Sequence, residues 1–193
     1  DFSPRQQAPG TFAIETAIEG ARALVDHRMA SHAVTFVADV AQSLPLLRGD
    51  AHEIQQVVLN LLLNSLDALE QKERGGRISV RAFAEDGKVH LHVEDDGPGM
   101  DPVDLPRVFD PFFTKKDRPD ASGLGMFISY SIVHNHGGEM RVDSAPGEGF
   151  RVHIVLPAPA DHQHPRAGAR DWPRHRFDAA DGHGFAEPVE PRR

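Results

Sequence analysis

An α/β domain is predicted by the order in which hydrophobic periodicity changes along the chain. Segments 11–29 and 51–72 repeat apolar residues at helical spacing, segments 33–40 and about 78–93 read as strands, and a third helical segment, 124–136, precedes a closing hairpin. The strongest apolar runs lie between about residues 11 and 156. One core is therefore expected, in a domain spanning 11–157 between a linker (1–10) and a polar tail (158–193).

In chain order, DFSPRQQAPG (1–10) holds two Pro, a Gly and two Gln and reads as a linker. Ile14, Ile18, Ala21, Leu24 and Val25 mark the apolar face of the first helix, and AVTFVADV (33–40) reads as a strand. Leu44-Pro45 and Arg48-Gly49-Asp50 make a turn, with Asp50 placed to cap the next helix. In that helix Ile54, Val57, Val58, Leu61, Leu62, Ser65 and Leu69 share one broad face. Glu53, Gln56, Asn60, Asn64 and Asp67 form a narrow polar stripe opposite, flanked by Leu59, Leu63 and Leu66. A polar stripe walled by leucines is expected to face a cavity that holds a polar ligand rather than open water.

Ile78, Val80 and Ala82 alternate with polar residues, as do Val89, Leu91 and Val93, and Asp86-Gly87 joins the two runs as a hairpin. A loop-rich stretch follows over 95–122. The helix at 124–136 ends on Gly137-Gly138, and the last hairpin, Glu139 to Leu156, turns at Pro146-Gly147. Beyond it, Pro, His, Arg and Asp dominate without apolar periodicity, so disorder is expected. The four scattered histidines there (162, 164, 175, 183) read as solvated rather than metal-binding.

The 193 residues carry 21 Lys+Arg against 29 Asp+Glu, a net charge of -8, which argues against a nucleic-acid surface. Without cysteine there is no disulfide framework, no thiolate zinc site and no thiol nucleophile, which fits a reducing, cytoplasmic location. No apolar run approaches the ~20 residues of a membrane helix. The chain starts at Asp1 and reads as a piece of something longer, possible membrane anchoring of the whole being left open.

Four segments carry chemistry. Asn60 and Asn64 lie one helical turn apart on the polar stripe, and amide oxygens are hard ligands suited to Mg²⁺; the bland alternative is a polar ladder. Asp95-Asp96-Gly97-Pro98-Gly99 follows directly on a strand, where a carboxylate can accept from an exocyclic amine and glycines admit a ligand closely; a plain turn is the alternative. Ser122-Gly123-Leu124-Gly125-Met126 opens a helix, presenting backbone N–H groups and the positive dipole end to a phosphate. It matches neither a P-loop nor a dinucleotide fingerprint. Between them, Phe109-Asp110-Pro111-Phe112-Phe113-Thr114-Lys115-Lys116 reads as a loop anchored by aromatics, from which Lys115 or Lys116 can reach a phosphate, with 114–122 a candidate lid.

In this order the four segments resemble the asparagine, first-glycine, phenylalanine and second-glycine boxes of the sensor histidine kinase catalytic domain, within the gyrase, heat-shock chaperone, histidine kinase and mismatch-repair superfamily. His136-Gly137-Gly138-Glu139, Ser144 to Gly149 and Val155-Leu156-Pro157 look like the same family, and VFDPFFTKK and SGLGMFISYSIV are most similar to nitrogen-regulator-like and dicarboxylate-sensor-like kinases. The resemblance covers roughly residues 12–157.

It implies a two-layer α/β sandwich of the Bergerat type, a mixed sheet with helices on one face and nucleotide held between helices and lid. It implies ATP and Mg²⁺ as cofactors and transfer of the γ-phosphoryl to a histidine. Asn64 would ligate Mg²⁺ with Asn60 beside it, the pair being the catalytic residues. Asp95 would take the adenine amine, with Gly97 and Gly99 shaping that pocket and Met100 and Asp67 among the ATP-binding residues. Phe112 would belong to the lid anchor, with Thr114 and Lys115 in the lid, and Ser122, Gly123, Leu124, Gly125 and Met126 would sit at the phosphates. Ala121, Met126, Lys115 and Ser65 depart mildly from the family pattern.

The phospho-acceptor motif is not seen. His52-Glu53 belongs to the start of the asparagine helix, and His134 and His136 do not face the same way. The implied partners are the protein's own dimerisation and phospho-acceptor segment and a response-regulator receiver domain, the chain alone being monomeric. The alternatives are a non-catalytic nucleotide-binding module, or another ATPase or serine kinase of the superfamily.

Overall fold

The computed structural model describes residues 10–70, 75–116 and 121–159. Helices α1 (Ile14–Ser31), α2 (Ala51–Leu69) and α3 (Gly125–Asn135) pack on one face of a five-stranded sheet. Its strands are β2 (Val34–Val40), β4 (Gly76–Glu85), β5 (Lys88–Asp95), β6 (Glu139–Ser144) and β7 (Phe150–Pro157), in the order β2-β4-β5-β7-β6. β2 runs parallel to β4 and the other pairs are antiparallel, so the sheet is mixed. The expected two-layer α/β sandwich is the observed architecture.

Alternation along the strands makes the two layers. Ile78, Val80 and Ala82 of β4, Val89, Leu91 and Val93 of β5, and Val152, Ile154 and Leu156 of β7 are buried under the helices. The intervening residues form the opposite face. α2 is the keystone of the helical layer, packing against α1, α3, β4 and β5. Asp50 caps it, its side chain accepting from the His52 N–H at 2.8 Å.

Three expectations need correction. Residues 10–12 and 47–49, read as linker, helix start and turn, pair instead as a two-stranded ribbon, β1 (Gly10–Phe12) with β3 (Leu47–Gly49), which buries Phe12 and Leu47. Three-residue strands are too short to show alternation. Leu24, assigned to the buried face of α1, is 65% exposed, because the stripe Ile14, Ile18, Ala21, Val25 and Met29 turns away from it. Leu66, placed beside the polar stripe of α2, is fully buried in the core. The linker up to residue 9, the tail from 160 with its four histidines, and the end of the expected 51–72 helix lie outside the described residues.

Candidate functional site

A cavity of about 520 Å³ opens between α2, the end of β5, the start of β7, the loop after β5 and the start of α3. Its floor is Asp95, the last residue of β5, only 3% exposed. The Ser65 hydroxyl of α2 donates to Oδ2 at 2.8 Å and the Gly97 N–H to Oδ1 at 2.9 Å. Burial raises the Asp95 carboxyl above the ordinary carboxylate range, and these hydrogen bonds act against that rise. A desolvated carboxylate fixed from two sides is a rigid acceptor in the cavity lining.

Gly99 turns the loop beneath the cavity with φ +71°, and a Cβ there would lie 2.0 Å from the Ala145 carbonyl oxygen. The loop is pinned further on, where the Met100 N–H donates to Ser144 Oγ at 2.8 Å. Only glycine lets the backbone pass here.

The polar stripe of α2 lines one wall. Lys116 donates to Asn64 Oδ1 at 3.0 Å and pairs with Asp67. Asp67 is also held by Arg28 of α1, which reaches Glu70 as well. Asn60 turns its amide nitrogen toward α3, donating to Ser129 Oγ at 3.3 Å and to the Gly125 carbonyl at 3.4 Å. Among the described residues no hydrogen bond uses its oxygen. The oxygens of Asn64 and Asp67 thus already grip one cation, an ammonium, in the cavity wall.

α3 starts at the opposite wall. Gly123 has φ +65°, and a Cβ would approach the Phe112 carbonyl carbon to 2.4 Å, so the loop carrying Phe112 packs directly on this turn. Gly125, Met126 and Ser122 line the cavity at the helix N-terminus, where unpaired N–H groups and the dipole favour an anion.

The structure brings together Asn60, Asn64 and Asp67 from α2, Asp95, Gly99 and Met100 after β5, Thr114 and Lys115 from the loop, and Ser122, Gly123, Gly125 and Met126 at α3. Gly97 sits just behind, holding Asp95, and Leu124 is the N-cap position of α3 outside the lining. Phe112 lies outside the cavity lining, 72% exposed with a left-handed φ of +66°, while its neighbour Phe113 lines the cavity. Lys115 pairs with Asp104, and Lys116 reaches the α2 oxygens.

Arg28, Phe113, Ser129 and Phe150 escaped the sequence reading. Ser129, fully buried, had no clear signal, because Tyr130 and Ser131 beside it also carry hydroxyls. Arg28 had none, because its partner lies 39 residues away. His136 has a structural part. His136 donates from Nδ1 to the Ile132 carbonyl at 2.9 Å, and its Nε2 accepts from the Asp50 N–H at 3.2 Å, joining the end of α3 to the start of α2.

Comparison with known proteins gives the family and the fold. Residues 49–160 match the family described as histidine kinase-, DNA gyrase B- and HSP90-like ATPases. The solved mycobacterial sensor histidine kinase MprB superposes with a TM-score of 0.68 at 31% identity, covering 78% of this chain and 98% of that one. The chain belongs to this family, as a histidine kinase ATP-binding catalytic domain. The two-component sensor PprA of Pseudomonas aeruginosa is 38% identical over 151 residues, 75% of this chain and 16% of PprA, so the domain spans about a sixth of that relative's length. The full-length ShkA structure in complex with AMPPNP superposes with a TM-score of 0.68 at 25% identity, over 81% of this chain and 32% of that one. No helix among the described residues is long and apolar enough to cross a membrane.

Proposed function

We propose that the kinase domain binds ATP as its magnesium complex and passes the γ-phosphoryl to a histidine on a dimerisation and phospho-acceptor segment of the same protein. The observation that carries this is the pairing of opposite chemistries across one cavity. A buried, doubly held carboxylate, Asp95, lies at one end, and two oxygens that grip a cation, from Asn64 and Asp67, lie at the other.

The carboxylate suits the exocyclic amine of adenine. The Lys116 ammonium between Asn64 and Asp67 occupies ground that fits a cation with hard oxygen ligands, so Asn64, with Asn60 one turn away, would hold Mg²⁺ there. Mg²⁺ held there would supply charge neutralisation to the nucleotide phosphates. The helix start at Ser122–Met126 receives the phosphates, and Lys116 and Lys115 supply further positive charge from the loop.

The chain's part in transfer is positioning and charge neutralisation. The lone pair of the acceptor's unprotonated imidazole nitrogen forms the N–P bond. The bond between the γ-phosphorus and the β–γ bridging oxygen breaks, ADP leaves, and the other ring nitrogen gives up its proton to solvent. The analogue in the ShkA structure supports the nucleotide half of this reading. A response-regulator receiver domain is the partner proposed for the full-length protein, and the net charge of -8 argues against a nucleic-acid surface. A cytoplasmic location, where MgATP is supplied, fits the same reading.

Calorimetric titration of a non-hydrolysable ATP analogue, with and without Mg²⁺, tests the site. Asp95→Asn is expected to weaken binding at least tenfold, since hydrogen bonds to charged groups are worth about 1.5–3 kcal/mol. Asn64→Ala is expected to abolish the Mg²⁺ dependence. Binding that is strong but unchanged in both variants would remove these residues from the site. Incubation with ATP and a cognate phospho-acceptor segment tests transfer: acid-labile label on the histidine is expected, and its absence with nucleotide bound would leave a binding module only.

A further inference from the structure

The sheet face turned away from the helices carries a cluster that the nucleotide cavity does not use. His90 and His92, two apart on β5, project from the same face, and pairing with β7 sets His153 directly opposite His92. His90 Nδ1 and His153 Nε2 lie 3.0 Å apart, and one ring nitrogen of each of the three histidines falls within 4.8 Å of the others. Phe83 of β4 floors the cluster, stacked on His90 at 4.9 Å and tilted against His92 at 5.5 Å.

Cross-strand ring stacking alone would account for aromatic residues here, and phenylalanine would serve it better than histidine. What stacking leaves unexplained is His92 Nε2, buried and without a hydrogen-bond partner. An orphaned buried polar atom is unfavourable unless something fills its bonding direction. Glu94, next on the same strand face, likewise has a buried Oε2 without a partner.

We propose that His90, His92 and His153 form a binding site for a divalent transition ion of the Zn²⁺ class, held by three imidazoles with the remaining position open to water or an external ligand. The donors suit such an ion: imidazole binds Zn²⁺, Cu²⁺ and Ni²⁺, and ligand nitrogens at ~2.0–2.1 Å from a tetrahedral zinc stand roughly 3.3 Å apart. The His90 and His153 nitrogens, 3.0 Å apart, are already near that spacing. Ligation also needs neutral rings. Burial, helped by the neighbouring histidines and by Arg81, holds His92 down to about 3, and burial, helped by His90, holds His153 down to about 4, so both lone pairs are available near neutral pH. Arg81, the cation facing His92, is itself paired with Asp39.

The test uses the full chain, stripped with a chelator and titrated with Zn²⁺ against a chromophoric competitor near pH 7.5. The other histidines of the chain give a common background. Wild type is expected to bind one more zinc ion than His92→Phe or His153→Phe, at least tenfold more tightly than that background, and Co²⁺ is expected to give the intense visible bands of a low-coordinate site only in wild type. Equal zinc stoichiometry and affinity in wild type and in variants whose circular dichroism shows them folded would overturn the proposal. Should the variants fail to fold, imidazole ¹⁵N spectra of wild type decide: Zn²⁺ must shift the signals of His90, His92 and His153, and a titration that leaves those three unmoved overturns it.

Discussion

At Asp95 the requirements of folding and of binding oppose each other. Burial raises its folded-state pKa, so the protonated form is the one favoured by the fold. The stabilisation this linkage contributes is present below the ordinary carboxylate pKa and is lost as pH rises through the raised folded value. At neutral pH the ionised carboxylate is thus held against its own desolvation. Asp95→Asn removes that burden while giving up one acceptor for Ser65 or Gly97. Its urea midpoint at pH 7.5 is expected to be no lower than that of wild type, even as nucleotide affinity falls. A clearly lower midpoint would mean that the two hydrogen bonds outweigh the burial. The same raised pKa makes wild-type nucleotide affinity decline, on acidification, at a higher pH than an exposed aspartate would give; titrations between pH 7 and 5 check it. Asp95 was legible because a carboxylate at a strand end before two glycines is a local pattern. Arg28 was not, since only the packing of α1 on α2 brings it to Asp67. Phe112 and Phe113 are indistinguishable in sequence, and a positive φ at Phe112 decides which ring faces inward.

α2 shows how one helix serves two purposes. Its apolar face holds the core and its polar stripe lines the cavity, so damage to either face separates stability from binding. Leu62, with no exposure, faces only the core. Leu62→Ala is expected to lower unfolding free energy by about 2–5 kcal/mol while leaving nucleotide affinity of the folded protein near wild type, measured by denaturant unfolding and calorimetry. Gly123→Ala acts at the other wall. The added methyl meets the Phe112 backbone at 2.4 Å on a left-handed residue, so a loss of at least ~1 kcal/mol is expected together with weakened binding. Unchanged affinity there would show that the turn before α3 does not touch the ligand. The long elements were legible because 3.6- and 2-residue periods persist over many turns. β1 and β3 were not, because their pairing is decided by residues 39 positions apart, Gly10 with Gly49, rather than by any local period.

Across the whole molecule, the α/β class could be read from the order of the elements, while the strand order β2-β4-β5-β7-β6 is set by packing and has no local signature. The cavity walls come from α2, the end of β5, the start of α3 and the start of β7, segments separated by loops and by whole strands. This scatter has a kinetic consequence. Asn64, Asp95 and Gly123 come from three separate segments, so nucleotide is expected to recognise only the finished fold. Ligand at a hundredfold its dissociation constant adds about 2.7 kcal/mol to stability. All of that gain belongs to contacts absent from the folding transition state, so it is expected as roughly hundredfold slower unfolding with refolding untouched. Stopped-flow chevrons with and without the ATP analogue would register it as a drop in one limb alone; a faster refolding limb would mean that the site forms early. Occupancy then acts as a clock on the native state, and a domain emptied of nucleotide is the one that opens first.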